Sequence, residues 1–373
     1  MARRVILFGA TGFTGRLAAN AMTRAGLAPV LAGRSAQGLT DLVAELAPFA
    51  PIDAAPTWQC ADVNDASSVR ALVDSVDDVL VSTVGPFARL GRAAVNAAVD
   101  QGCAYIDSTG EPSFIRTLFE ADAPRAQRSG ARLLPAFGFD YVPGNLAGAL
   151  AMRETGAESA TRVEIGYFLR GGAAMSSGTR ASAAGMITEP AFAFRGGRIA
   201  EGSGSVATFD IDGHGRAGLP IGGSEHFALP RLHRRLTEVG VYLGWSGRWT
   251  RAAHAAGLVA SLSARVPLVG SVTERTLEWA GGGSTGAGPS AAQRSGTTSV
   301  AVARTFDGVG RELSRVRVEG PSPYDLTAEL LGWGAAMLAT RRESGPGVLG
   351  PTDAFGLEAL VDGCALIGLR RVE

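Results

Sequence analysis

The sequence predicts an α/β protein with an N-terminal Rossmann domain built on a parallel sheet, a second α+β domain, and helices at the C-terminal end. Three observations support this prediction. Short apolar segments alternate with helical segments through residues 5–135. A glycine-rich turn separates the first strand from the first helix. Beyond Gly144 the pattern changes to segments that alternate polar and apolar residues. We therefore expect domains at residues 1–145, 146–323 and 324–373.

The first domain is predicted to contain six strands that alternate with helices, as in repeated βαβ units. Six strands make a complete dinucleotide-binding domain. The predicted strands lie at residues 5–8, 29–32, 58–60, 78–81, 104–106 and 132–135. The predicted helices lie at residues 16–25, 38–46, 66–73, 91–101 and 112–126.

The rest of the chain shows fewer regular patterns. Strand-like alternation is found at 162–169 and 204–212, with Gly/Ser-rich turns at 171–178 and 202–204, a flexible loop at 281–288, and helical patterns at 324–340 and 352–363. An apolar stretch at 249–269 is interrupted by Arg251, His254 and Arg265 and is barely long enough to cross a bilayer. We therefore favour a buried or amphipathic helix there over membrane contact.

Composition excludes several functions. The chain has 373 residues, of which 46% are hydrophobic and 19% charged, as expected for two globular domains. Basic and acidic residues number 35 each, so no net field attracts nucleic acid. Every basic residue is arginine, which excludes a lysine Schiff base, a pyridoxal-phosphate anchor, a P-loop lysine and a catalytic tyrosine–lysine pair.

The three cysteines, Cys60, Cys103 and Cys364, lie far apart and form no CxxC motif. This odd number of isolated thiols indicates a reducing compartment, so we expect a cytoplasmic protein without a zinc site. The four histidines show no metal-ligand spacing and are expected to be structural or exposed; they are His214, His226, His233 and His254. No GxSxG motif lies between a predicted strand and a predicted helix, as a nucleophile elbow requires, which disfavours a serine hydrolase.

The motif GATGFTG gives the strongest local signal, because it follows the first strand and precedes the first helix. Gly9 permits the tight turn, Gly12 lets the backbone approach a pyrophosphate, and Gly15 lets the helix and the strand pack closely. The helix N-terminus adds amide donors and a positive dipole. The alternative is a tight turn without a ligand.

Two further strand ends bear on the nucleotide. Arg34 in LAGRS stands where an acidic residue would accept a free ribose 2′-hydroxyl, and an arginine there can pair with a 2′-phosphate. NADP(H) is therefore favoured over NAD(H), unless Arg34 is only a solvated surface residue. Asp62 can accept from the adenine amino group or cap the helix that begins near Ser67.

The fourth strand ends in VSTVGPF, where Thr83, Gly85 and Pro86 are expected beneath the pyrophosphate and the nicotinamide ribose. An ordinary Gly-Pro loop is the alternative.

Polar residues also follow the fifth and sixth strands, at the same predicted sheet edge. YIDSTGE provides Asp107, Thr109 and Glu111, and GFDYVPG provides Asp140 and Tyr141. Such side chains are candidates for proton transfer. Those of YIDSTGE can instead cap the helix that begins near residue 112. We select Asp140, Tyr141 and Glu111 as the catalytic candidates.

The sequence resembles the saccharopine-dehydrogenase-like oxidoreductases, including the bacterial branch of trans-acting enoyl reductases. The resemblance rests on motifs that recur in order along nearly the whole chain. They are GATGFTG, LAGRS, TVGPFARLG, YIDSTGE, GFDYVPG, SSGTRAS, GPSAAQRSG, YDLTAELL and GVLGPTDAFG.

The resemblance implies a second domain with a mixed sheet and a C-terminal helical return that packs on the first domain. It also implies a nicotinamide cofactor. The residues implied to hold it are Gly9, Thr11, Gly12, Phe13, Thr14, Gly15, Gly33, Arg34, Thr83, Val84, Gly85 and Pro86. The branch often has GFDS followed by Pro and Ser-Asp, whereas this chain has Tyr141 and Gly144-Asn145.

The leading hypothesis is hydride transfer from NADPH to a C=C, C=N or C=O bond of a small or acyl-chain substrate. The small, apolar surroundings of residues 176–186 favour a less polar substrate. Reductive joining of an amine and a carbonyl is the alternative, and it requires arginines at the pocket, for which Arg170, Arg180 and Arg195 are available. A non-catalytic NADP sensor is the third hypothesis. A homodimer is a further expectation.

Overall fold

The computed structural model describes residues 3–51, 54–155, 159–171, 176, 191–202, 204–244, 288–340 and 344–372. Arg180, His254, the apolar stretch 249–269, the loop 281–287 and most of the turn 171–178 lie outside these residues. The chain divides into two compact units. The first comprises residues up to Gly110, Phe114–Val142 and Pro323–Ile367. The second comprises Glu111–Ser113, Pro143–Ser322 and the residues from Gly368 onward.

The first unit contains a parallel sheet of seven strands, which confirms the predicted Rossmann-type fold. In chain order the strands are Val5–Phe8 (β1), Val30–Gly33 (β2), Thr57–Cys60 (β3), Val79–Ser82 (β4), Ala104–Asp107 (β5), Arg132–Leu134 (β6) and Gly347–Val348 (β15). Their order across the sheet is β15-β6-β5-β4-β1-β2-β3. The carboxyl end of β1 therefore lies between those of β2 and β4. Here the order in which successive strands are added across the sheet reverses, and ligands bind at such a point in folds of this type.

Helices cover this sheet. They are Phe13–Arg24 (α1), Ala36–Leu46 (α2), Ala66–Arg70 (α3), Phe87–Leu90 (α4), Arg92–Gln101 (α5), Pro112–Thr117 (α6), Ala123–Ser129 (α7), Pro323–Thr340 (α11), Pro351–Phe355 (α12) and Leu357–Leu366 (α13). The predicted helix at 112–126 is divided by a π-helical turn at Leu118–Asp122, and α7 begins with a proline in its first turn. The predicted helix at 352–363 is divided at Gly356, which has a φ of +76°.

The second unit contains a mixed sheet of nine strands. Its strands are Arg162–Arg170 (β7), Phe192–Arg195 (β8), Arg198–Glu201 (β9), Ala207–Ile211 (β10), His214–Pro220 (β11), Glu238–Leu243 (β12), Thr298–Phe306 (β13), Glu312–Gly320 (β14) and Arg370–Arg371 (β16). Among the described strands of this sheet, only β7 and β12 pair in parallel. The helices of this unit are Val142–Glu154 (α8), Glu225–Leu232 (α9) and Ala291–Ser295 (α10).

Each unit has its own apolar core. Strands β1 and β4 of the first unit are buried along their whole length. In the second unit Phe168, Phe209, Ile211, Val300 and Val302 form a buried cluster on the sheet. Strand β16, within the segment expected to return to the first domain, pairs with β14 of the second sheet. Among the described residues no helix combines the length and the apolarity needed to span a bilayer.

Candidate active site

The glycine turn between β1 and α1 leaves no room for side chains at two positions. Gly9 has a φ of +89°, and a Cβ there would lie 2.7 Å from Thr83 Oγ1 and 2.9 Å from Val84 Cγ2. A Cβ on Gly15 would overlap the carbonyl oxygen of Gly9. Gly12, the exposed N-cap of α1, has no side chain to bond the N–H groups of the first helical turn. Those groups lack intrahelical acceptors, which is the arrangement that binds phosphate groups.

The loop after β4 packs on this turn. Thr83 Oγ1 lies 3.2 Å from the carbonyl oxygens of both Phe8 and Gly9, so its hydroxyl proton can be donated to either. The backbone N–H of Thr83 also donates to Phe8 O at 2.9 Å. Gly85 and Pro86 follow, and Pro86 is the N-cap of the short helix α4. Thr83, Val84 and Gly9 are therefore in contact at the carboxyl edge of the sheet, as the sequence predicts for neighbouring strands.

The end of β2 lies against the glycine turn through Thr11. A Cβ on Gly33 would lie 3.7 Å from Thr11 Oγ1, and a Cβ on Gly38 would lie 3.3 Å from Thr11 Cγ2. Arg34, the next residue after Gly33, is exposed. Throughout the described part of the chain, no residue forms a hydrogen bond or an ion pair with Arg34. Its guanidinium therefore remains available to an anionic ligand.

Phe13 and Thr14 begin helix α1 and are partly exposed. The Phe13 ring packs edge-on against Tyr324 of α11, with 5.2 Å between ring centroids. This contact fixes the Phe13 side chain beside the turn.

Asp62 does not cap helix α3, which was one of its two predicted roles. Asp65 is the N-cap, and its carboxylate accepts from the backbone N–H groups of Ser67 and Ser68 at 3.0 and 3.3 Å. Asp62 Oδ1 instead accepts from the backbone and side chain of Asn64 at 2.9 and 3.0 Å. The capping alternative is therefore wrong, because the helix begins at Ala66 and lies too far along the chain for Asp62.

Asp107 joins the loops that follow β5 and β6. It is fully buried, and its Oδ1 accepts from the backbone N–H of Thr109 at 2.9 Å and of Ala136 at 2.8 Å. The backbone N–H of Phe137 also donates to Asp107 O at 2.7 Å. Ala136 has a φ of +59°, which L-residues rarely adopt. Asp107 is thus a positioning residue that holds both loops, a role its place in the sequence alone does not reveal.

Asp140 and Tyr141 lie in the loop held in this way. Tyr141 is buried, and its hydroxyl donates to Gly110 O at 3.3 Å. Asp140 is half-buried, and a Cβ on Gly110 would lie 3.2 Å from its Oδ2. The protein around the Asp140 carboxyl raises its pKa to about 7, because burial disfavours the charged form. A carboxyl group with this pKa exchanges protons near neutral pH.

Glu111, the third catalytic candidate, follows Gly110 directly and is buried, with 3% of its surface exposed. It belongs to the second unit, whereas Asp140 and Tyr141 belong to the first. Within the described residues no group of three His, Cys, Asp or Glu side chains is arranged to hold a metal ion.

Comparisons with known proteins extend this description. No family model matches the chain. A candidate trans-acting enoyl reductase of Mycobacterium tuberculosis is 38% identical over 147 residues, which cover 38% of this chain and 34% of that protein. The trans-acting enoyl reductase of Mycobacterium leprae is 36% identical over 146 residues, with the same coverage. The chain thus matches about a third of the length of these curated relatives.

A solved structure matches much more of the chain. Saccharopine dehydrogenase (L-Glu forming) from Saccharomyces cerevisiae in its apo form superposes with a TM-score of 0.60 over 99% of both chains, at 13% sequence identity. At this identity the likeness concerns the fold. It confirms the fold resemblance inferred from the ordered motifs of the sequence.

Proposed function

From its saccharopine-dehydrogenase-like fold and its partial sequence likeness to trans-acting enoyl reductases, we propose that the chain is an NADP(H)-dependent oxidoreductase. It transfers hydride to a C=C, C=N or C=O bond of a small or acyl-chain substrate. The observation that carries this proposal is the exposed Arg34 beside the glycine turn. Trans-acting enoyl reductase relatives favour the C=C bond among the three.

The residues of the first unit fit the proposed dinucleotide. Because the exposed N-cap Gly12 has no side chain, a pyrophosphate can approach the backbone N–H groups of the first turn of α1. Arg34 pairs with the 2′-phosphate, and Asp62 accepts from the adenine amino group. The Thr83–Pro86 segment supports the nicotinamide ribose. When bound, the cofactor supplies the hydride.

The residues in the loops after β5 and β6 would transfer the proton. At neutral pH the Asp140 carboxyl is present in both protonated and ionised forms, because its pKa is about 7. It can therefore give a proton to, or take one from, a substrate atom within hydrogen-bond reach. Tyr141 and Glu111 are the other two candidates for proton transfer. Asp107 keeps the Asp140 loop in place through the Ala136 N–H.

The three cysteines support the proposed reducing, cytoplasmic compartment. All three are free: Cys60 is exposed, whereas Cys103 and Cys364 are buried. Burial raises the pKa of both buried thiols to about 12, so they stay protonated and unreactive.

The first experiment titrates the full chain with NADPH and NADH and follows nicotinamide fluorescence. A guanidinium–phosphate pair contributes about 1.5–3 kcal/mol, so NADPH should bind about tenfold tighter or more. Arg34→Gln should remove that preference. Arg128→Gln, at another exposed arginine of the first unit, should leave it unchanged.

If the wild-type protein binds NADPH and NADH with equal affinity, and if Arg34→Gln and Arg128→Gln lower that affinity equally, Arg34 does not recognise the 2′-phosphate. If neither nucleotide binds, the glycine turn is only architectural, and a scaffold role without nucleotide binding replaces the oxidoreductase proposal.

A further inference from the structure

The second unit has a cavity of its own, with a volume of about 550 Å³. Its walls come from β7, β8, β10, β12, β13 and α9, and from the segment that precedes β10. A cavity of this size can hold a small organic molecule. The apolar part of the wall includes Phe192, Phe194, Ile221, Val239 and Val241.

Charged side chains in the wall leave a net positive charge. Among the described residues of the wall, three arginines, Arg162, Arg195 and Arg304, oppose two glutamates, Glu164 and Glu238. Glu164 accepts from Arg304 at 2.7 Å and pairs with Arg162 at 3.1 Å. One carboxylate thus serves two guanidinium groups, which leaves one positive charge in excess at this end of the cavity.

Arg195 adds a guanidinium that has no acidic partner in the described part of the second unit. It is exposed at the end of β8, and its Cα is paired in register with that of Glu238 on β12. Nevertheless, the described residues include no carboxylate within ion-pair distance of Arg195. Its Nη2 lies at the cavity wall, 3.0 Å from where a Cβ on Gly204 would be.

His226 provides a buried polar group on the same wall. It lines the cavity and is 1% exposed, and its Nδ1 lies 3.0 Å from the backbone nitrogen and 3.1 Å from the carbonyl oxygen of Gly223. Its Nε2 has no hydrogen-bond partner among the described residues. Burial lowers the pKa of His226 to about 4, so the ring is neutral at pH 7. The tautomer decides whether Nδ1 accepts the Gly223 N–H or donates to Gly223 O. A ligand oxyanion at Nε2 would select the tautomer in which Nδ1 accepts and Nε2 carries the ring proton.

We propose that this cavity binds a small molecule that carries a carboxylate or phosphate group on an apolar body. The oxyanion pairs with Arg195 and accepts from His226 Nε2, and the apolar body lies against Phe192 and Phe194. Arginine suits this role because its planar donors match the geometry of both oxyanions. All the residues concerned belong to the second unit, so the proposal does not depend on dinucleotide binding by the first.

Three probes of one shape test the proposal: benzoate, phenyl phosphate and the neutral benzamide. Their binding to the full chain is measured by titration calorimetry at low ionic strength, where salt does not screen the charges. We expect at least one of the two anions to bind, about tenfold or more tighter than benzamide. The tighter anion identifies the oxyanion class.

Variants locate the site. Arg195→Gln should weaken binding of the anion about tenfold. Arg198→Gln is the matched control, because Arg198 is exposed, lies opposite Arg195 in the β8–β9 hairpin and does not line the cavity. In ¹⁵N NMR spectra of the histidine rings, the anion should shift the Nε2 resonance of His226, which a nonspecific surface effect would leave in place.

The proposal is overturned if neither anion binds or if benzamide binds as tightly as the anions. It is equally overturned if Arg198→Gln weakens binding as much as Arg195→Gln. None of these outcomes bears on the NADPH titration, so failure here and failure of the proposed oxidoreductase function remain distinguishable.

Discussion

Packing requires a glycine at position 144. This is one of the two positions where the chain departs from the Ser-Asp pattern of the enoyl reductase branch. The Gly144 N–H donates to the Tyr167 hydroxyl at 2.9 Å, and that hydroxyl donates to Glu225 Oε1 at 2.5 Å. A Cβ on Gly144 would overlap the Tyr167 oxygen and lie 2.5 Å from Glu225 Oε1. Both neighbours are completely buried, so neither can withdraw into solvent. The departure therefore goes together with a buried Tyr–Glu pair in this chain.

Gly144→Ala is expected to destabilise the protein by about 1–3 kcal/mol, because the added methyl group displaces this buried pair. Urea unfolding followed by circular dichroism measures the change. Gly308→Ala is the control, since a Cβ on Gly308 meets nothing within 4 Å. Equal stabilities of the two variants would show that Tyr167 and Glu225 can shift without cost.

Asp140 should make stability depend on pH. Its folded pKa of about 7 exceeds the ordinary value of 3.8, so between these values the folded protein binds more protons than the unfolded chain. The free energy of unfolding therefore falls as pH rises from about 4 to 7 and then levels off. At about 1.4 kcal/mol per pKa unit the fall is at most about 4 kcal/mol, and partial exposure of the carboxyl reduces it.

Asp140→Asn removes this titration. Compared with the wild type, the variant should gain stability as pH is raised from about 4.5 to 7.5, and urea unfolding at the two pH values measures the gain. Parallel pH dependences of the two proteins would contradict the raised pKa. The same variant should flatten the pH profile of substrate reduction near neutrality if Asp140 handles the proton.

At the scale of elements, helix α11 packs closely on α1. Gly332 permits the approach: a Cβ there would lie 3.4 Å from backbone atoms of Ala21 and Met22. The exposed pair Arg24–Glu329, at 2.6 Å, and the Phe13–Tyr324 ring contact lie along the same interface. The C-terminal helix thus supports α1, whose N-terminus forms part of the proposed dinucleotide site.

Gly332→Leu should force the two helices apart. The expected loss of stability is about 1–3 kcal/mol, despite the better helix propensity of leucine. NADPH affinity should fall as well, because α1 carries the first-turn N–H groups. Thr340→Leu, at the exposed end of the same helix, serves as the control for added apolar surface. Unchanged NADPH affinity in Gly332→Leu would show that α1 keeps its position without this contact.

The sequence predicts those elements that are marked by residues close together in the chain. The first six strands and the glycine turn are marked by neighbouring residues, and all seven elements are present. Strand β15 has only two residues, too few to show a period, so it was missed. The division at Gly356 depends on one backbone angle within an otherwise helical pattern.

The candidate sites follow the same rule. Gly9, Gly12 and Gly15 lie within seven residues and share a known motif, so the turn could be predicted. The cavity of the second unit could not, because Arg162, Arg195, His226 and Arg304 come from separate elements. Their proximity arises from the register of β7, β8, β12 and β13 and from the packing of α9 on β12. A lone buried histidine was therefore expected to be structural.

At the scale of the whole molecule, each unit has its own sheet and its own buried core, and a ligand site is proposed in each. Anything that binds only the folded form stabilises it, by about 2.7 kcal/mol at a concentration of 100 times Kd. Hydrogen exchange then shows which unit is stabilised, because amides of central strands exchange only when most of their unit unfolds.

NADP+ should slow exchange in strands β1 and β4, whose residues are fully buried beside the glycine turn. Benzoate or phenyl phosphate should slow exchange in β7 and β13, which border the cavity of the second unit. Mass spectrometry of peptides from these strands measures both effects. Arg34→Gln should reduce the first effect and retain the second, whereas Arg195→Gln should reduce the second and retain the first. If NADP+ protects β7 and β13 while β1 and β4 exchange as before, the dinucleotide does not bind at the glycine turn, and the arginine-lined cavity is its site instead.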